Sequence, residues 1–187
     1  MIFEKGGVRV RLFTAEVGDF RRDRREISAA GYALVGYAAR QVWGECPEIV
    51  RPERGRPYFD AAGRFFSLSH TGTRLLVGVS EHELGVDAER FRPVRAGLRE
   101  RLMSPGERDE FELFELWTLR EAVFKLTGRG ALMSMELRRD GGEVVTPFAG
   151  VRCRSYGDLP GCAAAAAAFE GELPGKIEIV PPERFLT

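Results

Sequence analysis

Cysteine and histidine are scarce in this chain. Its 187 residues include 3 cysteines, Cys46, Cys153 and Cys162, an odd number with no CxxC spacing. That argues against a disulfide frame or a thiolate zinc site and for reduced thiols in a cytosolic compartment. The 2 histidines, His70 and His82, are too few for a multi-histidine metal centre. Net charge is missing as well, because 28 Lys and Arg balance 28 Asp and Glu. No global field calls for nucleic acid, so any basic site must be local. No stretch approaches the ~20 apolar residues that a bilayer span requires. Glu4, Lys5, Arg9 and Arg11 interrupt any apolar run near the start, against a signal peptide. The expectation is a soluble, cytoplasmic protein with no nucleic-acid or membrane partner.

What is present is enough for a core. Apolar residues make up 44% and aromatics 10%, so the chain can fold as one large domain or two small packed halves. The stretch that most needs explaining is Leu84-Gly85-Val86-Asp87-Ala88-Glu89. Strand alternation puts Asp87 and Glu89 on one face and Val86 and Ala88 on the other. In a central strand the two carboxylates would repel each other in a poorly solvated place. A cation relieves that repulsion, and two acids plus phosphate oxygens suit Mg²⁺. The plainer alternative is a half-buried edge strand whose acids face water.

The rest of the chain reads as alternating strands and helices. Val8 to Leu12 alternates as an opening strand. From about Phe20 to Trp43 the pattern is helical, with Ile27, Ala30, Leu34, Tyr37 and Ala38 at three- and four-residue steps. Arg21, Arg22, Arg24 and Arg25 sit at its beginning, where cations oppose the helix dipole. They read either as a solvated charged face or as groups kept for a ligand. Glu45 to Pro57 is loop. Arg64 to Leu68 is a strand candidate, and Ser69-His70-Thr71-Gly72 follows as a small-residue turn in which His70 could meet a ligand. Leu75 to Val79 is a further apolar strand, and Glu81-His82-Glu83 is a surface turn before the acidic strand.

Val94 to Met103 suggests a short helix. Ser104-Pro105-Gly106-Glu107 has the form of a capping box opening a helix that runs to Thr127 and stops at Gly128. Within it Trp117, Glu121 and Lys125 lie four residues apart on one stripe. An ordinary surface Glu–Lys pair beside a half-buried Trp would account for that spacing. Met135 to Arg138 and Val144-Val145 flank a hairpin turn at Asp140-Gly141-Gly142. Val151 to Tyr156 and Lys176 to Val180 read as strands. The alanine run from Cys162 to Phe169 is in conflict: alanine prefers helix, yet a short run between Gly161 and Gly171 also suits a strand buried on both faces.

Four patches, GRPYF at 55–59, FSLSHTG at 66–72, LGVDAERFRP at 84–93 and WTLREAVFKLTGRG at 117–130, stand in order along the chain. Together they resemble the signature set of the 4′-phosphopantetheinyl transferases, specifically the Sfp-like group. The resemblance covers nearly half the chain, and it favours strand for the alanine run. It implies an α/β fold of two similar halves about a pseudo-twofold axis, divided here as 1–83 and 84–187, with coenzyme A in the cleft between them. It also implies Mg²⁺-dependent transfer of the 4′-phosphopantetheine arm to a serine of an acyl or peptidyl carrier protein, releasing 3′,5′-ADP. Asp87, Glu89 and Glu121 resemble the family's metal-binding acids, and Glu121 is also the implied base for the serine proton. Lys125 would neutralise charge on the leaving phosphate. Arg56, Ser69 and His70 resemble contacts to the nucleotide phosphates, with His70 also placed among the catalytic groups, and Trp117 would pack as a wall orienting the stripe.

Relatives usually carry a further basic residue in the early helix. Arg21, Arg22, Arg24 and Arg25 all compete for that part, and Arg25 is taken as the candidate. Two departures stand out: many relatives have lysine where Arg56 stands, and the segment between Pro93 and Trp117 is shorter than in typical members. One chain supplies both halves of the cleft, so a monomer is expected. A non-catalytic coenzyme A or carrier-protein binding module of the same fold is the alternative. A Mg²⁺-dependent pyrophosphate hydrolase is a third reading, although the chain has neither a GxxxxGK[ST] loop nor a GxSxG elbow.

Overall fold

The computed structural model describes residues 10–18, 24–169 and 171–186. Strand β1 (Arg11–Glu16) starts later than the alternation at Val8 to Leu12 predicts, and Val8 and Arg9 lie outside the described residues. Leu12, Phe13, Thr14 and Ala15 are all buried, so β1 is covered on both faces and carries no alternation of its own. Thr14 satisfies its buried hydroxyl by donating to the Leu75 carbonyl at 2.7 Å. Helix α1 (Arg24–Trp43) fills the later part of the expected helix, with Ile27, Ala30, Leu34 and Ala38 in the core. The loop after it contains one short pair, β2 (Ile49–Val50) with β3 (Tyr58–Phe59).

Strands β4 (Phe65–Thr71) and β5 (Arg74–Ser80) form a hairpin. Here the sequence reading needs correction: Ser69, His70 and Thr71 are strand, and the turn is Gly72-Thr73. Gly72 takes a positive φ of 57°, which fixes the reversal two residues later than expected. Strand β6 (Leu84–Arg90) follows. Helix α2 (Leu98–Leu102) is shorter than Val94 to Met103 would give.

The single helix expected from Ser104 to Thr127 is two helices, α3 (Pro105–Glu110) and α4 (Leu113–Thr127). The capping box is present as read, with Ser104 and Glu107 bonded reciprocally. Phe111 breaks the helix by turning extended (φ −133°, ψ 148°) and burying its ring. Burial of that size contributes ~1.5–3 kcal/mol, enough to offset one interrupted helical turn. Glu112 then restarts the helix, its N–H donating to the Glu115 carboxylate at 3.4 Å. Gly128, at φ 62°, ends α4.

The remaining strands are β7 (Arg138–Asp140), β8 (Glu143–Val145), β9 (Arg152–Tyr156), β10 (Cys162–Ala168) and β11 (Glu178–Ile179). The hairpin at Gly141-Gly142 joins β7 to β8 as predicted. The alanine run is a strand, and all seven residues of β10 are buried. Tertiary context overrides alanine's helical preference, because side chains this small let layers on both faces come close. One sheet has the order β11-β1-β5-β4 and the other β6-β10-β9-β8-β7. The tail after β10 crosses back, and β11 pairs parallel to β1.

Three apolar clusters separate four layers. Helix α1 covers the outer face of the first sheet through Phe13, Leu75 and Val77. The sheets meet through Leu12, Leu76, Val86, Ala88 and Ala164. Helix α4 covers the outer face of the second sheet through Leu119, Val123, Ala165 and Ala167. This is the mixed α/β class expected from the sequence. No helix among the described residues is long and apolar enough to cross a membrane.

Candidate functional site: an acid–lysine cluster at the edge of β6

Strand β6 is the outermost strand of its sheet, so its free edge should bind water or another strand. Side chains from three directions occupy much of it instead. Ser67 Oγ accepts from Val86 N at 3.0 Å and Thr71 Oγ1 accepts from Arg90 N at 3.0 Å. Lys125 Nζ donates to the Val86 carbonyl at 3.0 Å, and Arg56 donates to the carbonyls of Leu84 and Lys125. An edge strand covered in this way can hold a carboxylate out of water.

Asp87 is that carboxylate, only 5% exposed. The reading of a strand with both acids facing water therefore fails for Asp87. Its Oδ1 accepts from Lys125 Nζ at 2.8 Å and from Ser69 Oγ at 2.7 Å. Its Oδ2 is buried with no hydrogen-bond partner. Glu89, on the same face, is partly exposed and pairs with Arg92 at 2.8 Å, with Thr71 Oγ1 at 3.4 Å. Glu121 is half-buried on α4 and lies within the field of both acids.

Gly85 is what brings the helix this close. A Cβ at that position would stand 2.0 Å from the Ala122 carbonyl oxygen and 2.8 Å from Leu126 N. Only a residue without a side chain lets α4 lie directly on β6. The turn of α4 that contains Ala122 is the one that carries Glu121 and Lys125. The surface Glu–Lys pair that would explain the stripe is therefore not what forms: Lys125 reaches past Glu121 to the strand.

The titration of the acids follows from this packing. Burial pushes the Asp87 carboxyl above its ordinary value, the Lys125 ammonium and the Ser69 hydroxyl pull it down, and Glu89 adds to the rise. Burial also raises Glu121, with Asp87 and Glu89 adding to it and Lys125 opposing. Burial lowers Arg56, opposed by Glu83. Asp87 Oδ2 is thus left without a partner beside two further acids: Glu89, whose charge raises both other carboxyls, and Glu121, which Asp87 also raises. Among the described residues, no three His, Cys, Asp or Glu side chains converge as a ready-made metal cage. A divalent ion that draws part of its shell from a bound diphosphate and water does not need one, so the donor set fits Mg²⁺.

The other sequence candidates divide into two groups. Ser69, Lys125 and Arg56 gather with the acids at the β6 edge. His70 does not: it is exposed and alternates with Ser69 onto the face of β4 that carries Leu68, which packs against α1 at Gly31. Arg25 is exposed in the first turn of that same helix. Arg21 and Arg22 lie outside the described residues, as does the side chain of Arg24. Trp117 is half-buried two turns before Lys125 on α4. The sequence reading missed Ser67, Thr71, Arg92 and Gly85. Period-two spacing of Ser67, Ser69 and Thr71 was the signal available for the first two.

Fold and site together define an α/β protein in which a buried acid, a helical acid and a helical lysine meet at the edge of one strand. A model described as the 4′-phosphopantetheinyl transferase superfamily matches residues 83–158, which contain β6 and α4. The chain is 36% identical to the 4′-phosphopantetheinyl transferase psf-1 of Bacillus pumilus over 35% of its own length and 32% of that protein's. It is 28% identical to the 4′-phosphopantetheinyl transferase ffp of Bacillus subtilis, over 72% of this chain and 68% of the relative. Identity to the 4′-phosphopantetheinyl transferase Sfp of Bacillus subtilis (strain 168) is 26% over the same shares. The chain thus matches about a third of psf-1 and about two thirds of the other two. The chain is therefore similar to the 4′-phosphopantetheinyl transferase superfamily over β6 and α4, and to Sfp-type members of it over a longer stretch.

Proposed function

We propose that this protein transfers the 4′-phosphopantetheine arm of coenzyme A to a serine hydroxyl of an acyl or peptidyl carrier protein and releases 3′,5′-ADP. The observation that carries the proposal is Asp87, buried with one oxygen committed to Lys125 and Ser69 and the other without a partner. A carboxylate left in that state suits a cation that arrives with its substrate.

In this reading Asp87, Glu89 and Glu121 hold Mg²⁺, which when bound neutralises charge on the pyrophosphate of coenzyme A. Lys125, anchored beside Asp87, faces the charge that builds on the leaving phosphate. Glu121 takes the serine proton, a task suited to a carboxyl whose proton affinity burial and two neighbouring acids have raised. Arg56 fixes the backbone at Leu84 and Lys125 and offers its remaining N–H groups to a phosphate. His70 and Arg25 line the α1 side, where the nucleotide end would lie, and Trp117 walls the stripe. The reaction is a phosphoryl transfer, so positioning and charge stabilisation account for most of the rate.

Residues 1–83 and 84–187 are the proposed halves of the cleft, with the tail after β10 folded back onto the first half. One chain then completes the site, and a cytoplasmic monomer follows. The deciding experiment incubates the protein with coenzyme A, Mg²⁺ and a panel of fatty-acid, polyketide and peptide carrier proteins, read by intact mass. The expected result is a carrier heavier by one phosphopantetheine group. Unchanged mass across the panel, with coenzyme A still bound, would leave only a binding module.

A further inference from the structure

Three hydroxyls, Ser67, Ser69 and Thr71, project from one face of β4 at steps of two residues. Each meets β6 at a different point: Val86 N at 3.0 Å, Asp87 Oδ1 at 2.7 Å, and Arg90 N at 3.0 Å together with Glu89 Oε2 at 3.4 Å. No backbone ladder joins β4 to β6, because each belongs to a different sheet. The hydroxyls replace that ladder. We propose that Ser67, Ser69 and Thr71 form a seam that positions the acids of β6, so that residues outside the metal-binding half set the cation affinity of the site.

The geometry gives each hydroxyl a separate task. Ser67 and Thr71 accept edge N–H groups on either side of the acids, which fixes the height of β6 against β4. Ser69 donates to Oδ1 alone, which anchors that oxygen and leaves Oδ2 without a partner. Thr71 also steadies Glu89, whose other partner is the exposed Arg92. Outer partners of this kind, which orient a ligand without touching the metal, commonly change affinity when removed. Ser67 and Ser69 are themselves buried, so water does not readily replace them. This assignment gives Ser69 a role on Asp87 in place of a phosphate contact, and it rests on the metal reading proposed above.

The test measures Mn²⁺ binding to the protein–coenzyme A complex by electron paramagnetic resonance, without carrier protein, together with melting temperature. Ser69→Ala and Thr71→Val are expected to weaken Mn²⁺ binding by about tenfold or more, with Thr71→Ser within about twofold of the unmutated protein. Thr71→Val keeps the side-chain shape at a partly exposed position, so it remains informative should Ser69→Ala fold poorly. A lower melting temperature with unchanged Mn²⁺ affinity in Thr71→Val would overturn the seam and leave an ordinary packing role. So would a Thr71→Ser variant as weak as Thr71→Val. Unmutated protein that binds no Mn²⁺ overturns the metal reading, and this inference with it. Normal binding there with unaltered variants overturns this inference alone.

Discussion

Lys125 Nζ stands 2.8 Å from Asp87 Oδ1 and 3.0 Å from the Val86 carbonyl, so the helix's cation is bound to the strand and not to Glu121 one turn before it. The ammonium is held at the mouth of a buried acid, where a phosphate oxygen could replace part of its shell at little cost in reorganisation. Lys125→Met should then lower kcat by about 10²–10³-fold, the usual effect of removing one donor aimed at developing charge. Half-saturation by coenzyme A should change far less, because the other phosphate contacts remain. Release of 3′,5′-ADP followed by chromatography checks both, and an unchanged kcat would remove Lys125 from the chemistry.

Glu121 provides a test that needs no carrier protein. Its carboxyl is pushed above the ordinary value by burial and then by Asp87 and Glu89. The folded chain therefore holds this proton more tightly than the unfolded chain does. Ionised Glu121 costs stability at pH above the raised value, and the cost fades as pH falls through it. In chelator, Glu121→Gln should melt higher than the unmutated protein near neutral pH, with the gain shrinking as pH drops into the ordinary carboxylate range. The variant should transfer no phosphopantetheine at any pH. A variant that melts lower near neutral pH would contradict the repulsion assigned here.

The acidic strand and the helical stripe were legible in the sequence because each rests on local spacing. The residues of the alanine run left helix and strand both open, and only the family resemblance favoured strand. Val86 and Ala88 face the interlayer core and Asp87 and Glu89 face the helix, as period two requires. What local spacing could not supply was the neighbour. A single helix from Ser104 to Thr127 fits the capping box at its start, and only the buried pocket taken by Phe111 explains why the chain breaks there. The turn placed at Ser69 and His70 failed for a related reason. Small polar residues usually mark turns, but these hydroxyls are partners for the edge of β6, and their period-two spacing alone does not say which strand they meet. The association of Arg56 with the carbonyls of β6 and α4 was equally out of reach.

A second ion pair lies deeper and supports the site from behind. Arg120 and Glu107 are 2% and 3% exposed and bond at 2.8 Å, with Arg120 also donating to the carbonyls of Met135 and Leu102. Glu107 accepts from Ser104 N and Leu137 N as well. Burial pushes its carboxyl up, but those two N–H groups and the Arg120 guanidinium outweigh it, and the net shift is downward. The pair ties α4 to α3 and to the segment at Met135 and Leu137 that leads into β7. Arg120→Met should cost about 3–5 kcal/mol in urea unfolding, because a buried carboxylate is left without its cation. A depressed carboxyl contributes stability above its unfolded pKa and loses it as pH falls through the folded one. The unmutated protein should therefore lose part of its stability below the ordinary carboxylate range, and Glu107→Gln should flatten that loss. An Arg120→Met variant within about 1 kcal/mol of the unmutated protein would show the pair to be dispensable.

Gly85 concentrates the dependence of the site on packing into one position. A methyl group there would meet the Ala122 carbonyl oxygen at 2.0 Å, and backbone cannot swing aside as a flexible side chain would. Helix α4 has to lift from β6, which carries Glu121 away from Asp87 and stretches the Lys125 bond to the strand. Overpacking of this kind costs ~1–3 kcal/mol and sometimes more. The displacement matters more than the stability, since a shift of about 1 Å in catalytic groups can cost about 10²-fold in rate. Gly85→Ala should therefore fold with a lowered melting temperature and lose about 10²-fold or more in transfer. Gly106→Ala, in helix α3 with open space around it, should leave both nearly unchanged. Equal activity in the two variants, measured side by side by carrier mass, would mean that the closeness of α4 to β6 does not govern the chemistry.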